Sequence, residues 1–300
     1  MTKLEVRMVF LTPLLFVLLQ TSTLANDAKQ DIWRVDVHGV AQLLASEENF
    51  SRLQFYQWDN NRWLPSNAEA FLDAQCSEIP LIVLALGYSL TSRDISQVGH
   101  SIVRTFDPDK ACQVVFWDWF SDRGTYRIRR DIRSKIPIAD NAANYLSLAL
   151  QKLEPQSKIC LFGFSFGSRI ACQAIESLLQ SGRRPEGLRI HLVLSGAAAD
   201  EHWFARGQRY GNIQEEAEKI LVTHNPEDWV LRLYPMMYPI GQRPTALGLH
   251  GMPMQSIEPA FRDRFENVDV NRYMGHAHQT LKHVRCPAFR SRVAEYFFFE

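Results

Sequence analysis

The 300-residue chain carries 33 basic and 33 acidic side chains, so its formal net charge is zero. That balance favours neither nucleic acid nor an anionic surface as the main partner, and the length suits one large α/β domain with a substantial core. Five cysteines, an odd number, make no disulfide framework, and no CxxC pair or His/Cys cluster has the spacing of a metal site, so neither metal nor cofactor is expected.

Lys3 and Arg7 precede an apolar run from Met8 to Leu19, followed by Gln20-Thr-Ser-Thr-Leu-Ala25. A positive start, a short apolar stretch and small residues mark a signal peptide over residues 1–25, with 26–300 as a single exported domain, periplasmic or secreted. An uncleaved anchor is the alternative. The run is short for a bilayer and contains Pro13, so no stable membrane span is expected after cleavage.

Asp31-Ile-Trp-Arg-Val-Asp-Val37 and Leu53-Gln-Phe-Tyr-Gln-Trp58 alternate apolar and polar residues, as edge or antiparallel strands do. Three near-continuous apolar runs follow, Leu81–Leu86, Gln113–Trp119 and Ile159–Phe162, each suited to a strand buried on both faces. Cys76 and Cys112 each lie just ahead of one of these strands, which leaves a bridge between them open. Two more apolar runs are Ile190–Ser195 and Ile220–Thr223, and a last short strand is expected at about Asn267–Asn271. Helical spacing falls between the runs: Ile95–Arg104, Ala139–Leu153, Arg169–Gln180 and, less clearly, His202–Arg209, with a final helix after Gly275-His-Ala-His278. Alternating buried strands and helices predict a mostly parallel sheet of about eight strands with helices on both faces.

The most informative stretch is Lys158-Ile-Cys-Leu-Phe-Gly-Phe-Ser-Phe-Gly-Ser-Arg169. It reads as a strand entering Gly163-x-Ser165-x-Gly167 and then a helix, the nucleophile-elbow pattern. A serine on so tight a turn needs small neighbours two residues away on each side, and glycine also tolerates strained dihedrals. A serine hydroxyl becomes a nucleophile only when a base takes its proton, and the base is oriented by a carboxylate. With an elbow the chain order is serine, acid, histidine. Asp228, in the loop after Ile220–Thr223, is the first candidate acid; Asp200 and Glu227 are substitutes, and Asp228 also suits a helix cap. His276 and His278 both stand in the loop where the base belongs, with His224, His250 and His283 as remoter candidates. Oxyanion donors are expected from the N–H groups of Phe166 and of Tyr88, the latter in the turn after Leu81–Leu86.

Across nearly all of residues 26–300 the chain resembles the α/β-hydrolase superfamily, and within it uncharacterised hydrolase-like proteins labelled as domains of unknown function. The residues carrying the likeness are Trp117-Asp-Trp-Phe-Ser-Asp-Arg123, Gly163-Phe-Ser-Phe-Gly-Ser-Arg169, Asn225-Pro-Glu-Asp228, Ala246-Leu-Gly-Leu-His-Gly251 and Gly275-His-Ala-His278. The resemblance implies an α/β-hydrolase fold with the elbow after the fifth strand, and hydrolysis of an ester or related acyl compound. It also implies a small residue ahead of the base, which favours His278 over His276. One departure stands at the oxyanion strand, where Leu86-Gly87 replaces His-Gly.

Two segments bear on substrate. Leu233–Arg262 is rich in Pro and Met and reads either as an adaptable lid or as an excursion packed on the domain. Arg123–Lys135 holds Arg127, Arg129, Arg130 and Arg133, either to receive an anionic group or as a solvated basic face paired with Asp122 and Asp131. The combined expectation is an exported serine esterase acting on a small-molecule acyl ester through an acyl-enzyme. The competing one is a catalytically inactive hydrolase fold that serves as a binding or scaffold protein.

Overall fold

The computed structural model describes residues 30–299 except 108, 123, 125, 126, 240 and 241; the proposed signal peptide lies outside them. Nine strands form one sheet: β1 (Gln30–Asp36), β2 (Gln54–Asp59), β3 (Arg62–Ser66), β4 (Leu81–Ala85), β5 (Cys112–Asp118), β6 (Lys158–Phe164), β7 (Arg189–Ser195), β8 (Lys219–His224) and β9 (Phe265–Asp269). Their order is β3-β2-β1-β5-β4-β6-β7-β8-β9. β2 runs against both its neighbours, and every other pairing is parallel. This is an α/β-hydrolase fold, a mostly parallel sheet with helices on both faces.

The unbroken apolar runs follow from that burial. In β4, Leu81, Val83 and Ala85 face one core while Ile82 and Leu84 face the other, and in β6 Ile159 and Leu161 oppose Cys160 and Phe162. Successive strand side chains point to opposite faces, so a strand covered twice has no polar face to display. The helices Ile128–Leu150 and Phe166–Ser181 cover the first face, through residues such as Leu146, Ile170 and Ile175. Ser92–Val103 and Pro287–Phe298 cover the second, through Ile95, Ile102, Phe289 and Phe297.

Strand order reverses between β4 and β6: the chain first steps from β4 outward to β5, then returns past β4 to β6 and continues outward through β9. In an open parallel sheet the crevice beyond the strand C-termini at that reversal is where ligands bind. The turn after β4 and Ser165 after β6 stand there.

The sequence reading differs from the structure in three places. Arg62–Ser66 is a strand, so the elbow follows the sixth strand and not the fifth. Asn60 and Asn61 adopt φ of 47° and 65° and close a two-residue hairpin, a conformation asparagine tolerates, and Pro65 is accepted because β3 is an edge strand. His202–Arg209 is a series of turns and not a helix. The helix expected from Ala139 begins at Ile128 and runs through Pro137; a proline removes one ladder bond, and the packed face on either side keeps the helix continuous. All five cysteines are free thiols, with Cys76 exposed and Cys112 buried.

Candidate active site

Ser165 sits between β6 and the Phe166–Ser181 helix with φ 54° and ψ −118°. Non-glycine residues rarely adopt that conformation, and when they do the surrounding structure enforces it. The enforcement here is backbone contact. A methyl carbon on Gly163 would lie 2.4 Å from Ser168 Cα, and one on Gly167 would lie 1.8 Å from the Ala85 carbonyl oxygen. The Ser165 N–H donates to the Ser195 carbonyl at 3.0 Å, and the Ala198 N–H donates to the Ser165 carbonyl at 3.1 Å. The serine is therefore held from both sides of the β6–β7 edge, 8% exposed.

The acid and base loops meet across β8 and β9. His278 Nδ1 lies 2.6 Å from Asp228 Oδ2, and Asp228 is fully buried. The other carboxylate oxygen accepts from the Val230 and Leu231 N–H groups at 3.0 and 3.1 Å. Asp228 thus serves both uses that its position in the sequence allows, the cap and the imidazole partner. A carboxylate on Nδ1 keeps the proton there and leaves Nε2 as the acceptor. That Nε2 is buried and has no hydrogen-bond partner among the described residues. The Ser165 hydroxyl does not reach it directly; such bonds are often long in the absence of substrate. The imidazole is close to the elbow all the same, since a methyl carbon on Gly196 would lie 3.4 Å from His278 Cε1 and 3.3 Å from the Phe164 ring. Phe164, directly before the serine, stacks obliquely on the His278 ring at 4.9 Å.

The remaining candidates are not brought to this point. His276 is exposed and its Nδ1 faces the Glu227 carbonyl at 3.2 Å. Asp200 pairs in an isolated bridge with Ala246 and accepts from the His202 N–H. His250 faces Glu201, and His224 is half-buried, its pKa lowered by burial. His283 lies one layer behind His278 and is fully buried. Burial first, and the neighbouring His278 second, push its pKa down to about 3, so it is neutral at physiological pH. Its Nδ1 lies 3.1 Å from Ser195 Oγ and 3.3 Å from Thr223 Oγ1. This second serine–histidine cluster has no solvent access at Ser195 and no carboxylate, so it serves to floor the site.

On the oxyanion side, a methyl carbon on Gly87 would lie 3.1 Å from Ser165 Cβ, so the Gly87–Tyr88 turn stands against the serine. Trp119 Nε1 donates to the Leu86 carbonyl at 2.9 Å, and the Ser89 N–H donates to the Ser121 carbonyl at 2.9 Å. Phe166 is the first residue of the elbow helix, where N–H groups have no intrahelical partner.

Two supports were invisible in the sequence. Asn225 Nδ2 donates to the Gly275 carbonyl at 2.7 Å and ties the acid loop to the base loop. The Leu247–His250 turn of the Met-rich segment fixes the same loop: the Asn225 N–H donates to the Gly248 carbonyl, and the Gly248 N–H to the Ala197 carbonyl. Both residues fall inside stretches that carry the family resemblance, but their partners are dozens of residues away. Met237 and Met252 are buried in the core while Met236 is exposed, so most of that segment packs on the domain. No group of metal-ligating side chains occurs among the described residues, and no helix among them is long and apolar enough to cross a membrane.

No protein-family model matches the sequence, and no curated protein does. Among solved structures the chain is similar to a dienelactone hydrolase-like promiscuous phosphotriesterase from metagenomic libraries, at 14% identity over 82% of this chain and 92% of that one, with a TM-score of 0.37. It is also similar to a candidate cell surface hydrolase from Lactobacillus plantarum WCFS1, at 10% identity over 73% of this chain and 90% of that one, again with a TM-score of 0.37. Likeness at that level assigns neither chemistry nor substrate.

Proposed function

We propose that the protein is a serine hydrolase, acting on carboxylic esters through an acyl-enzyme. One observation carries the reading: a serine is forced into a strained turn, and on the ring of Phe164 directly before it packs an imidazole whose Nδ1 is held by a buried carboxylate and whose buried Nε2 has no partner among the described residues. An unpaired polar atom in the interior is costly. It is tolerated where a substrate or a moving proton supplies the missing partner.

In the proposed reaction Ser165 Oγ attacks the ester carbonyl carbon while His278 Nε2 takes the hydroxyl proton. Asp228 holds the imidazole and stabilises the imidazolium. The N–H groups of Phe166 and Tyr88 receive the developing oxyanion. The imidazolium then protonates the departing alcohol, water attacks the acyl-enzyme with His278 as base, and Ser165 is restored. Residues 1–25 would direct this activity outside the cytoplasm.

A fluorophosphonate probe tests the assignment. Wild type is expected to label on Ser165 and to hydrolyse activated esters, with both properties lost in Ser165→Ala. Folded wild type that neither labels nor hydrolyses would favour the inactive binding protein.

A further inference from the structure

The Ile128–Leu150 helix begins with charges that its own backbone opposes. The positive end of a helix favours carboxylates and disfavours cations. Yet Arg127 is its N-cap, Arg129 and Arg130 stand in the first turn and Arg133 in the next, against the single carboxylate of Asp131. Asp131 is already occupied: it is buried, accepts from the Tyr88 hydroxyl through Oδ2 and from the Gly124 N–H through Oδ1. Arg129 and Arg133 each donate to a carbonyl, of Met236 and Tyr238, and Arg133 Nε is buried without a partner among the described residues. Neither these two nor Arg130 pairs with a carboxylate among the described residues, in contrast to Arg169 and Arg209 on Asp140. The four guanidinium side chains line one open hollow of about 640 Å³. Local rules broken in this way are expected where a chain is built for function.

The hollow stands on the catalytic edge. The helix follows β5, so its first turn lies at the strand C-termini, where Ser165, Asp228 and His278 also stand. Two links join the sites. Tyr88 follows Gly87, which stands against Ser165, and donates its hydroxyl to Asp131. The segment Leu231–Met237 starts at the Asp228 cap, and the chain at its far end is held by Arg129 and Arg133.

We propose that this hollow binds an anionic group, phosphoryl or carboxylate, carried by the substrate, so that the substrate class is an anionic ester; this deepens the hydrolase reading and rests on it. Forked guanidinium groups match the oxygens of such anions. Leu233 and Met236, exposed at 45% and 40%, lie on the adjoining segment, so the anion can arrive on a soluble ester or on a lipid headgroup.

Arg130 is exposed and makes no hydrogen bond or ion pair among the described residues, so replacing it leaves their bonds intact. Pyrophosphate is titrated calorimetrically into wild type, Arg130→Glu and, as a control for general charge, Arg62→Glu on the far edge strand. Arg130→Glu is expected to weaken pyrophosphate binding about tenfold or more, with Arg62→Glu unchanged. In the soluble arm, kcat/KM for 4-nitrophenyl hemisuccinate is expected to fall by a similar factor in Arg130→Glu, while that for neutral 4-nitrophenyl butyrate holds. In the lipid arm, binding to phosphatidylglycerol vesicles is compared with binding to phosphatidylcholine vesicles. Loss in one arm alone assigns the anion to that source. Equal pyrophosphate affinity in wild type and Arg130→Glu, or equal loss in Arg62→Glu, overturns the proposal. Pyrophosphate binding needs no turnover, so a protein that binds the anion at Arg130 yet hydrolyses no ester keeps the site and removes the hydrolase reading instead.

Discussion

Two histidines two positions apart, one exposed and one buried, are distinguished by what their Nδ1 atoms meet. His276 meets a carbonyl and His278 meets the Asp228 carboxylate, and a carboxylate alone can stabilise the cation formed during proton transfer. His278→Ala is expected to lower kcat on activated esters by about 10³-fold or more, and Asp228→Asn by a comparable factor. His276→Ala is expected to keep wild-type turnover within about twofold, as exposed side chains outside the reacting set do. Full activity in His278→Ala would reassign the base. Asp228→Asn is also informative on structure, because an amide can still accept from the Val230 and Leu231 N–H groups at the cap. Stability should therefore hold while activity falls, and a urea midpoint measured beside the rate separates the two uses.

At the scale of elements, the elbow depends on how closely β6, its helix and β4 approach one another. Gly167 faces the Ala85 carbonyl at a distance that admits no side chain, and Gly163 faces Ser168 likewise. Gly167→Ala is expected to destabilise the fold by about 3 kcal/mol, the upper range for overpacking, and to abolish labelling of Ser165 even where the protein remains folded. A urea titration paired with the fluorophosphonate probe reads both. The elbow was legible in the sequence because its requirement is local: small, serine, small, between a strand and a helix. The parallel strands were legible because burial on both faces leaves no polar residue in β4 and only Lys158, at the first position, in β6. What stayed hidden was long-range or irregular. The β3 strand carries Pro65 and reads as a loop until its partner β2 is known. The Asn225–Gly275 bond joins residues fifty positions apart, and the Leu247–His250 turn acts only through its contact with the acid loop. The choice between His276 and His278 rested on resemblance, since two imidazoles in one loop have the same local signature.

For the whole molecule, buried neutral histidines set how stability varies with acid. Burial pushes His100 and His191 down to about 4 and His283 to about 3. In the unfolded chain they titrate near about 6.5, so between these values the unfolded state binds more protons and acid favours it. Each contributes stability that is whole above about pH 6.5 and declines as pH falls, at about 1.4 kcal/mol per pH unit while the unfolded form is charged and the native form neutral. His38 acts in the opposite sense: burial lowers its pKa, but the bond and charge of Asp118 outweigh this and raise it. Three strong depressions outnumber one rise, so the urea midpoint is expected to fall between pH 7 and pH 5. In His100→Gln that dependence should be shallower by about one proton; an unchanged slope would show that His100 is charged in the native state.

The order in which the chain is made has a consequence for when chemistry can begin. Ser165 and Asp228 are synthesised before β9, and His278 and the Pro287–Phe298 helix come after it. That helix packs Phe289 and Phe297 against Phe162, beneath the nucleophile strand. A nascent polypeptide that has reached only β8 therefore holds Ser165 without His278, and of the two helices on the second face of the sheet it has only Ser92–Val103. On the proposed assignment such an intermediate lacks its base and is catalytically silent.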